Sequence, residues 1–481
     1  MRRCRFVQRS LIMRNPHPKY MCFPSVVCVG KETEVSIVAR DISRIFREDR
    51  EYEMCVVGLR DDQTEYHAHI PLDYPCRVVD GTLRFTYTFD HEQEYSIRFA
   101  PKGEKEIKIP LYAVKEDLYQ LRPLKGDLHG HSYYSDGQDG IPMTPADYRE
   151  EGFDFFALTD HNRMYPSKLA ADLYKDIPLG MHMLPGEEVH TPGSILHIVH
   201  VGGTESVCEQ YIHQRDAFET EVDEIAATLS HVPEQYRRRT AMAHWACRKI
   251  HEAGGLAIFA HPFWCPNRYN VSEDFCNILF DEKIFDAFEL IGGSAGKIPN
   301  LQLALWQEQA FKGNVLPVVS SSDSHNHDFS AGNFARRFTI VFAKDNTTES
   351  ILEAIRSGYS VAAELPIKVD DDVRFYGSQL RLIAFAHFLF ENYFNETWRL
   401  CIGEGILMRR YAEGEPVGEI LGALAPTVEN FYKRFFGREA APVLPTERRQ
   451  YLDRCLDAQR TLGPDTKGSS LYIYGGNERR E

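Results

Sequence analysis

The sequence predicts an α/β protein in which a small all-β domain precedes a larger domain of strands alternating with helices, followed by a helical extension. Three observations carry this reading. Residues about 20–115 hold short β-branched and aromatic runs at even spacing. From about 121 apolar runs alternate with helical stretches. After about 376 the pattern is amphipathic and helical. The chain has 481 residues, 43% of them hydrophobic, enough for two or three domains.

The first domain is expected over 20–120. Segments 34–40, 52–59, 82–89, 94–99 and 105–113 alternate or are rich in Val, Ile, Phe and Tyr, with Asp, Gly and Pro between them, the spacing of a β-sandwich. Residues 1–19 read as a disordered lead-in. They carry arginines but no apolar core, so a secretory signal is not expected and the likeness to a transit peptide is faint. Eleven cysteines occur without a CxxC pair. Cys22, Cys28, Cys55 and Cys76 would be positioned to pair only in an exported protein, so free thiols and a cytoplasmic location are expected.

The second domain spans 121–365. Its apolar runs are FFALTDHN (155–162), MHMLPGEEVH (181–190), ILHIVHVGG (195–203), GLAIFAHP (255–262), AFELIGG (287–293) and VLPVVSSSDSHN (315–326). Apolar strands followed by helices imply parallel βα units with chemistry at the C-terminal strand ends. A charged helical insertion at 205–253 is expected beside those ends, and residues 347–358 read as one further helix. The extension, 366–481, reads as helical with a disordered end.

Net charge is −15, which argues against binding long duplex nucleic acid. No run of about 18 apolar residues suggests a membrane span. A small anionic substrate stays compatible, because local cations override a global sign.

The chemistry concentrates in GDLHGHSYYSDG (126–137). His129 and His131 lie two apart, so on a strand they share a face and can share one ion, with Asp136 in the following turn. Other strand ends supply Asp160 and His161, Glu187 and Glu188, His197 and His200, His261, and Asp323 with His325. Five such ends in a chain of 19 histidines point to a polynuclear metal site. Two ions sharing a carboxylate lower the pKa of the water between them toward 7, and a third neutralises charge on a leaving oxygen, which is what phosphoester hydrolysis needs. No GxSxG or cysteine signature suggests a covalent nucleophile.

Taken in series, HxHSxxSDG, TDHN, PGxEV, HIV, AHP and SDSH resemble the polymerase and histidinol phosphatase (PHP) family of metallophosphoesterases, over about 124–363. The resemblance implies a distorted (β/α)7 PHP barrel with two or three divalent ions, Zn, Mn or Fe with Mg also compatible. It puts His129, His131 and Asp323 on a first ion, Glu188 bridging to a second completed by His197 and His261, and Asp136, His161 and His325 on a third. Glu188 is preferred to Glu187 because the family's Gly-x-Glu begins at Gly186 and alternation aims the two apart. His200 competes with His197. Glu188, His161, Asp323 and His325 would form the catalytic set, with a metal-bridging hydroxide as nucleophile.

Arg163, Lys168, His190, Arg268 and Arg336 are candidate substrate-binding residues, with Arg337 a further phosphate clamp, His327 a proton donor and Trp264 a stacking ring. Glu289 would stand behind the ligands. The expected reaction is hydrolysis of a phosphomonoester of a small molecule, a nucleotide or sugar phosphate. The rivals are a phosphodiesterase or exonuclease on short oligonucleotides, and a non-catalytic binding or scaffold protein. A sandwich that delivers the barrel to a glycan is a third reading. Histidinol phosphate itself is not favoured, given the extra terminal regions. The sandwich or C-terminal helices are the surfaces through which an oligomer would form.

Overall fold

A computed structural model describes residues 18–41, 44–60, 70–264, 268–293, 297–327, 334–365 and 372–442, together with 450, 451, 453 and 454. Most of the expected lead-in and the end of the extension fall outside the described residues. Two compact units are present, one of residues 17–113 with 433 onward and one centred on 114–432.

The first unit holds two four-stranded sheets. Strands β1 (Tyr20–Phe23), β3 (Glu32–Ala39), β6 (Thr82–Thr88) and β5 (Arg77–Val79) form one in the order β1-β3-β6-β5, and β2 (Val26–Cys28), β8 (Ile107–Val114), β7 (Gln93–Pro101) and β4 (Tyr52–Gly58) form the other as β2-β8-β7-β4. Alternation explains the pairing. In β7 the residues Gln93, Tyr95, Ile97 and Phe99 are buried while Glu94, Ser96 and Arg98 between them are half-buried. Tyr95, Ile97 and Phe99 meet Val35, Ile37, Leu83 and Phe85 in one core, the arrangement of a two-sheet sandwich. Cys22, Cys28, Cys55 and Cys76 form no disulfide with one another.

The second unit is mixed α/β with two further sheets. A six-stranded sheet runs β11 (His182–Leu184), β10 (Phe155–Ala157), β9 (Arg122–Asp127), β17 (Arg337–Ala343), β18 (Ser360–Glu364) and β19 (Arg374–Tyr376). A five-stranded sheet runs β12 (Gly186–His190), β13 (His197–Val201), β14 (Leu256–Phe259), β15 (Ala287–Ile291) and β16 (Val318–Ser320). Strands β9–β11 are mutually parallel, as are β14–β16.

The expectation of parallel units throughout needs correction. β13 is antiparallel to both β12 and β14, and β17 to both β9 and β18. Only residues 191–196 separate β12 from β13, too few for a crossover helix, so the chain turns back as a hairpin. The expected single strand over 181–190 is broken at Pro185, which has no N–H to give a ladder. Gly186 then donates to Ser167 Oγ at 3.0 Å. A Cβ there would lie 2.8 Å from Thr159 Cγ2, so only glycine allows this close crossing.

Leu124, Phe155, Val199, Ile258, Ala287, Val319 and Val341, drawn from both sheets, share one apolar core. The other face of the five-stranded sheet is covered by Phe218, Trp245 and Phe275 from the helices Arg215–Thr228, Glu234–Glu252 and Glu273–Asp281. Burial on both faces accounts for the nearly unbroken apolar runs of β14 and β15.

The helix Asn395–Ala412 packs into this unit as well. Its Glu404 accepts from Arg149 Nε at 2.7 Å and from the Gly180 N–H at 2.6 Å, with both ionic side chains fully buried. A Cβ on Gly405 would stand 2.4 Å from the Glu150 nitrogen, so glycine lets two backbones touch. Among the described residues no helix is long and apolar enough to cross a membrane.

Candidate metal centre

The site forms where strand ends continue past their last regular residue and pair again. Beyond β9 and β16, Asp323 N donates to His129 O (3.0 Å) and His131 N to Ser324 O (2.8 Å). Beyond β10, Asn162 N donates to Glu188 O (2.9 Å) and Glu188 N to Asp160 O (3.2 Å). These isolated parallel bridges link the two sheets. They also fix the backbone under His129, His131, His161, Glu188 and Asp323. Asn162 and Asp323 adopt φ values of 56° and 49°, a left-handed backbone that Asn and Asp tolerate best and that collects at functional sites.

Glu188 lies at the centre. Its Oε1 is 2.7 Å from His197 Nδ1, 3.2 Å from His261 Nε2 and 3.6 Å from His190 Nε2. Its Oε2 is 2.7 Å from His161 Nδ1, 3.3 Å from His129 Nε2 and 3.4 Å from His131 Nε2. Asp323 Oδ1 stands 3.1 Å from His131 Nε2 and 3.5 Å from His129 Nε2. Asp136 Oδ1 lies 3.3 Å from both His161 Nε2 and His325 Nε2. All nine sequence-derived ligand candidates therefore converge. Four sets have donor atoms close enough to one another for a single ion: His131, Asp136, His161 and His325; His129, Glu188 and His261; His129, His131 and Asp323; and His161, Glu188 and His190.

The donors fit cations on two counts. The buried atoms His161 Nδ1, Glu188 Oε2, His190 Nε2 and His197 Nδ1 make no hydrogen bond among the described residues, although three of them stand 2.7 Å from another of the set or its carboxylate. Close approach without hydrogen-bond geometry is what co-ligands of one ion produce, whereas an unmade buried bond costs about 1–3 kcal/mol. Charge is the second count. Burial works to raise the Glu188 and Asp323 carboxyls, yet the surrounding imidazoles hold both well below the usual range. Burial likewise opposes a proton on His161, but Asp136 and Glu188 lift that imidazole to about 10. Desolvation dominates at His197 and pulls it to about 4. The cluster thus demands positive charge at its centre.

Supporting contacts orient the donors. Glu289 Oε1 lies 3.0 Å from His129 Nδ1, and its Oε2 accepts from His261 N–H at 3.1 Å, which leaves His129 Nε2 as the lone-pair nitrogen. Glu187 points the other way from Glu188. It accepts from Ser206 Oγ and Val207 N, both at 2.6 Å, and lies 3.1 Å from His200 Nδ1, so His200 belongs to the far side of the strand pair. Asp160 binds Ser132 N and Oγ (2.9 and 2.7 Å) and Ser135 Oγ (2.6 Å), shaping the turn that carries Asp136.

Asp127 escaped the sequence reading. It accepts from His129 N and Ser322 N, 3.2 and 3.1 Å away, and burial pushes its carboxyl up to about 6. The signal was present, because 127, 129 and 131 continue one period-two face. The serines 132 and 135 and Asn162 were equally unread.

Of the candidate substrate residues, His190 stacks on His197 with ring centroids 3.8 Å apart. Arg163 is half-buried and donates to the His161 carbonyl at 3.3 Å. Lys168 donates to Thr204 O, and Arg268 is exposed. Arg336 is buried, and Arg337 donates to Gly293 O at 2.7 Å. His327 sits 2.9 Å from Asp147 Oδ2, apart from the donors. The Trp264 ring lies 6.2 Å from that of His197.

No family model matches the chain. A segment of 82 residues, 16% of this chain and 14% of the other, is 33% identical to the DNA polymerase/3'-5' exonuclease PolX of Bacillus subtilis (strain 168). Three solved structures are similar at low identity. One is a two-domain protein of Bacteroides vulgatus described as containing a predicted PHP-like metal-dependent phosphoesterase (TM-score 0.36, 20% identity, covering 50% of this chain and 65% of that one). Another is a putative metal-dependent phosphoesterase of Bifidobacterium adolescentis (0.30, 17%, covering 42% and 87%). The third is an amidohydrolase of Chromobacterium violaceum with bound sulfate and no metal (0.27, 20%, covering 42% and 87%). The chain thus spans a seventh of the polymerase and just under two thirds of the Bacteroides protein.

Proposed function

We propose that this chain is a metal-dependent phosphoesterase of the polymerase and histidinol phosphatase type, its two inner sheets forming a distorted (β/α)7 barrel joined at the strand ends that carry the donors. The observation that carries this reading is the convergence of His129, His131, Asp136, His161, Glu188, His197, His261, Asp323 and His325 around the central Glu188 carboxylate.

In this reading His129, His131 and Asp323 would hold one ion, Glu188 with His197 and His261 a second, and Asp136, His161 and His325 a third. When bound, divalent ions such as Zn, Mn, Fe or Mg acidify water and offset charge on phosphoryl oxygens. The chain's own residues set direction and access. Exposure rises from 0% at His129 and His131 to 40% at His325 and 55% at Asp136, so a substrate phosphate reaches the cluster from the Asp136 side. The Trp264 ring lies beside that of His197, and Glu289 holds the His129 tautomer. The favoured substrate is a phosphomonoester of a small molecule, a nucleotide or a sugar phosphate.

The test is a metal-supplemented screen over nucleotides, sugar phosphates and a dinucleotide diester, the last included because the Bacillus subtilis match is named an exonuclease. Monoester turnover is expected, with Glu188→Ala and His129→Ala each losing at least about a thousandfold, some 4 kcal/mol, while keeping the fold. Preference for the diester would move the substrate class. Wild-type-like turnover in either variant would defeat the reading.

A further inference from the structure

We infer that His190 is a tenth metal-facing donor, placed to complete an ion site with Glu188 and the Nδ1 side of His161, as an alternative to the place of His161 beside Asp136, rather than to contact substrate; this rests on the metal-binding reading above. Three observations meet at this residue. Its Nε2 is buried, makes no hydrogen bond among the described residues, and lies 3.6 Å from Glu188 Oε1. The donor atoms of His161, Glu188 and His190 all fall within 4.8 Å of one another, the spread of ligands on one ion. The ring is also held in that pose by its neighbours, stacked on His197 at 3.8 Å and 24° and lying 4.5 Å from the His161 ring.

The backbone under His190 is pinned from both sides. Its N–H donates to Asn162 Oδ1 at 3.1 Å, and its carbonyl accepts from Tyr211 OH at 3.1 Å. Tyr211 OH also reaches Asn162 Oδ1, at 2.9 Å. Tyr211 belongs to the helix Val207–His213, the first of the helical insertion, and Asn162 follows His161 in left-handed backbone. The insertion therefore reaches the strand end carrying His190 through Tyr211, and Cys208 Sγ of the same helix also donates to Asn162 Oδ1 at 3.6 Å. A side chain set this firmly, with its free nitrogen turned toward a carboxylate already crowded by imidazoles, is positioned for a cation. A surface histidine would leave that nitrogen to water.

The arrangement also bears on metal choice. His190 Nε2 and His197 Nδ1 approach the same oxygen of Glu188, and each of the four donor sets joins imidazole nitrogens to one carboxylate, a combination that favours Zn or Fe over Mg.

Metal titration of the full chain tests the inference. The apo protein, prepared with chelator, is titrated with Co(II) by visible absorption and with Zn(II) and Mn(II) by competition against a chromophoric chelator. This is done for wild type, His190→Gln and His190→Glu. The expected result is a loss of at least about tenfold in affinity for one Zn(II) equivalent in His190→Gln with an altered Co(II) spectrum, and retained Mn(II) affinity in His190→Glu, whose carboxylate can replace the donor. Thermal unfolding of each apo protein checks that the variants fold, and the Glu variant keeps the test decisive if the Gln variant does not. Identical affinities and spectra in wild type and both variants overturn the role of His190 alone. A wild type that takes up no divalent ion overturns the metal-binding reading itself.

Discussion

Replacing Glu289 by Gln isolates the part played by a residue that contacts the donor side chains from behind. Glu289 is 1% exposed and uses both oxygens, Oε1 toward His129 Nδ1 and Oε2 toward the His261 N–H. Glutamine keeps the volume, and this matters because the Gly292 backbone lies against the carboxyl group so closely that a Cβ there would be 2.2 Å from Cδ. Yet the amide offers one acceptor and one donor. If its oxygen faces His129, its NH2 meets the His261 N–H donor. If it is flipped, its NH2 faces His129 Nδ1 and turns the lone pair away from the cluster. The first pose loses one buried contact, about 1–3 kcal/mol, and the second keeps both contacts but takes the lone pair from His129 Nε2. Losses at such supporting partners run about 10–100-fold in metal affinity. Competition against a chromophoric chelator should therefore show Glu289→Gln binding one ion at least about tenfold more weakly, with unchanged stoichiometry at saturating metal. Affinity within twofold of wild type would refute the claim that Glu289 sets the His129 tautomer.

Two further outcomes probe the frame around the site. Glu404→Ala leaves the Arg149 guanidinium buried without its partner on the Asn395–Ala412 helix, so urea unfolding should show about 3–5 kcal/mol of destabilisation, and less than about 1 kcal/mol would mean the helix is not integral to this unit. Arg381 hydrogen-bonds Asp117 and lowers that carboxyl to about 2. Because the folded value is depressed, this contribution is present above the ordinary value near 4 and lost as pH falls from there to about 2. Arg381→Ala should therefore flatten the acid limb of stability between pH 4 and 2, and an unchanged limb there would contradict the pairing.

Much of the centre was legible in sequence because a strand's two-residue period is rigid. His129 and His131 had to share a face, and Glu187 and Glu188 had to diverge, as they do, one to Ser206 and His200 and the other to the cluster. His200, three residues from His197, falls on the far side for the same reason. What could not be read depended on connection geometry. The 191–196 link is too short for a helix, which turns β13 antiparallel, and Pro185 splits one apolar run between two sheets. The supporting roles of Asp127, Asp160 and Asn162 needed the pairing of strand ends far apart in the chain. Composition marked the tail as helical but held no sign that Gly405 and Glu404 bring it against Glu150 and Arg149.

The number of ions the chain holds is the most direct test of the metal centre. Elemental analysis of full-length protein equilibrated with Zn(II) or Mn(II) and desalted should return two to three equivalents in the wild type. Glu188→Gln, which removes the carboxylate's charge and one of its two acceptor oxygens, should retain at least one equivalent fewer. A wild type that returns no bound metal, or a Glu188→Gln protein that returns the full complement, would contradict it.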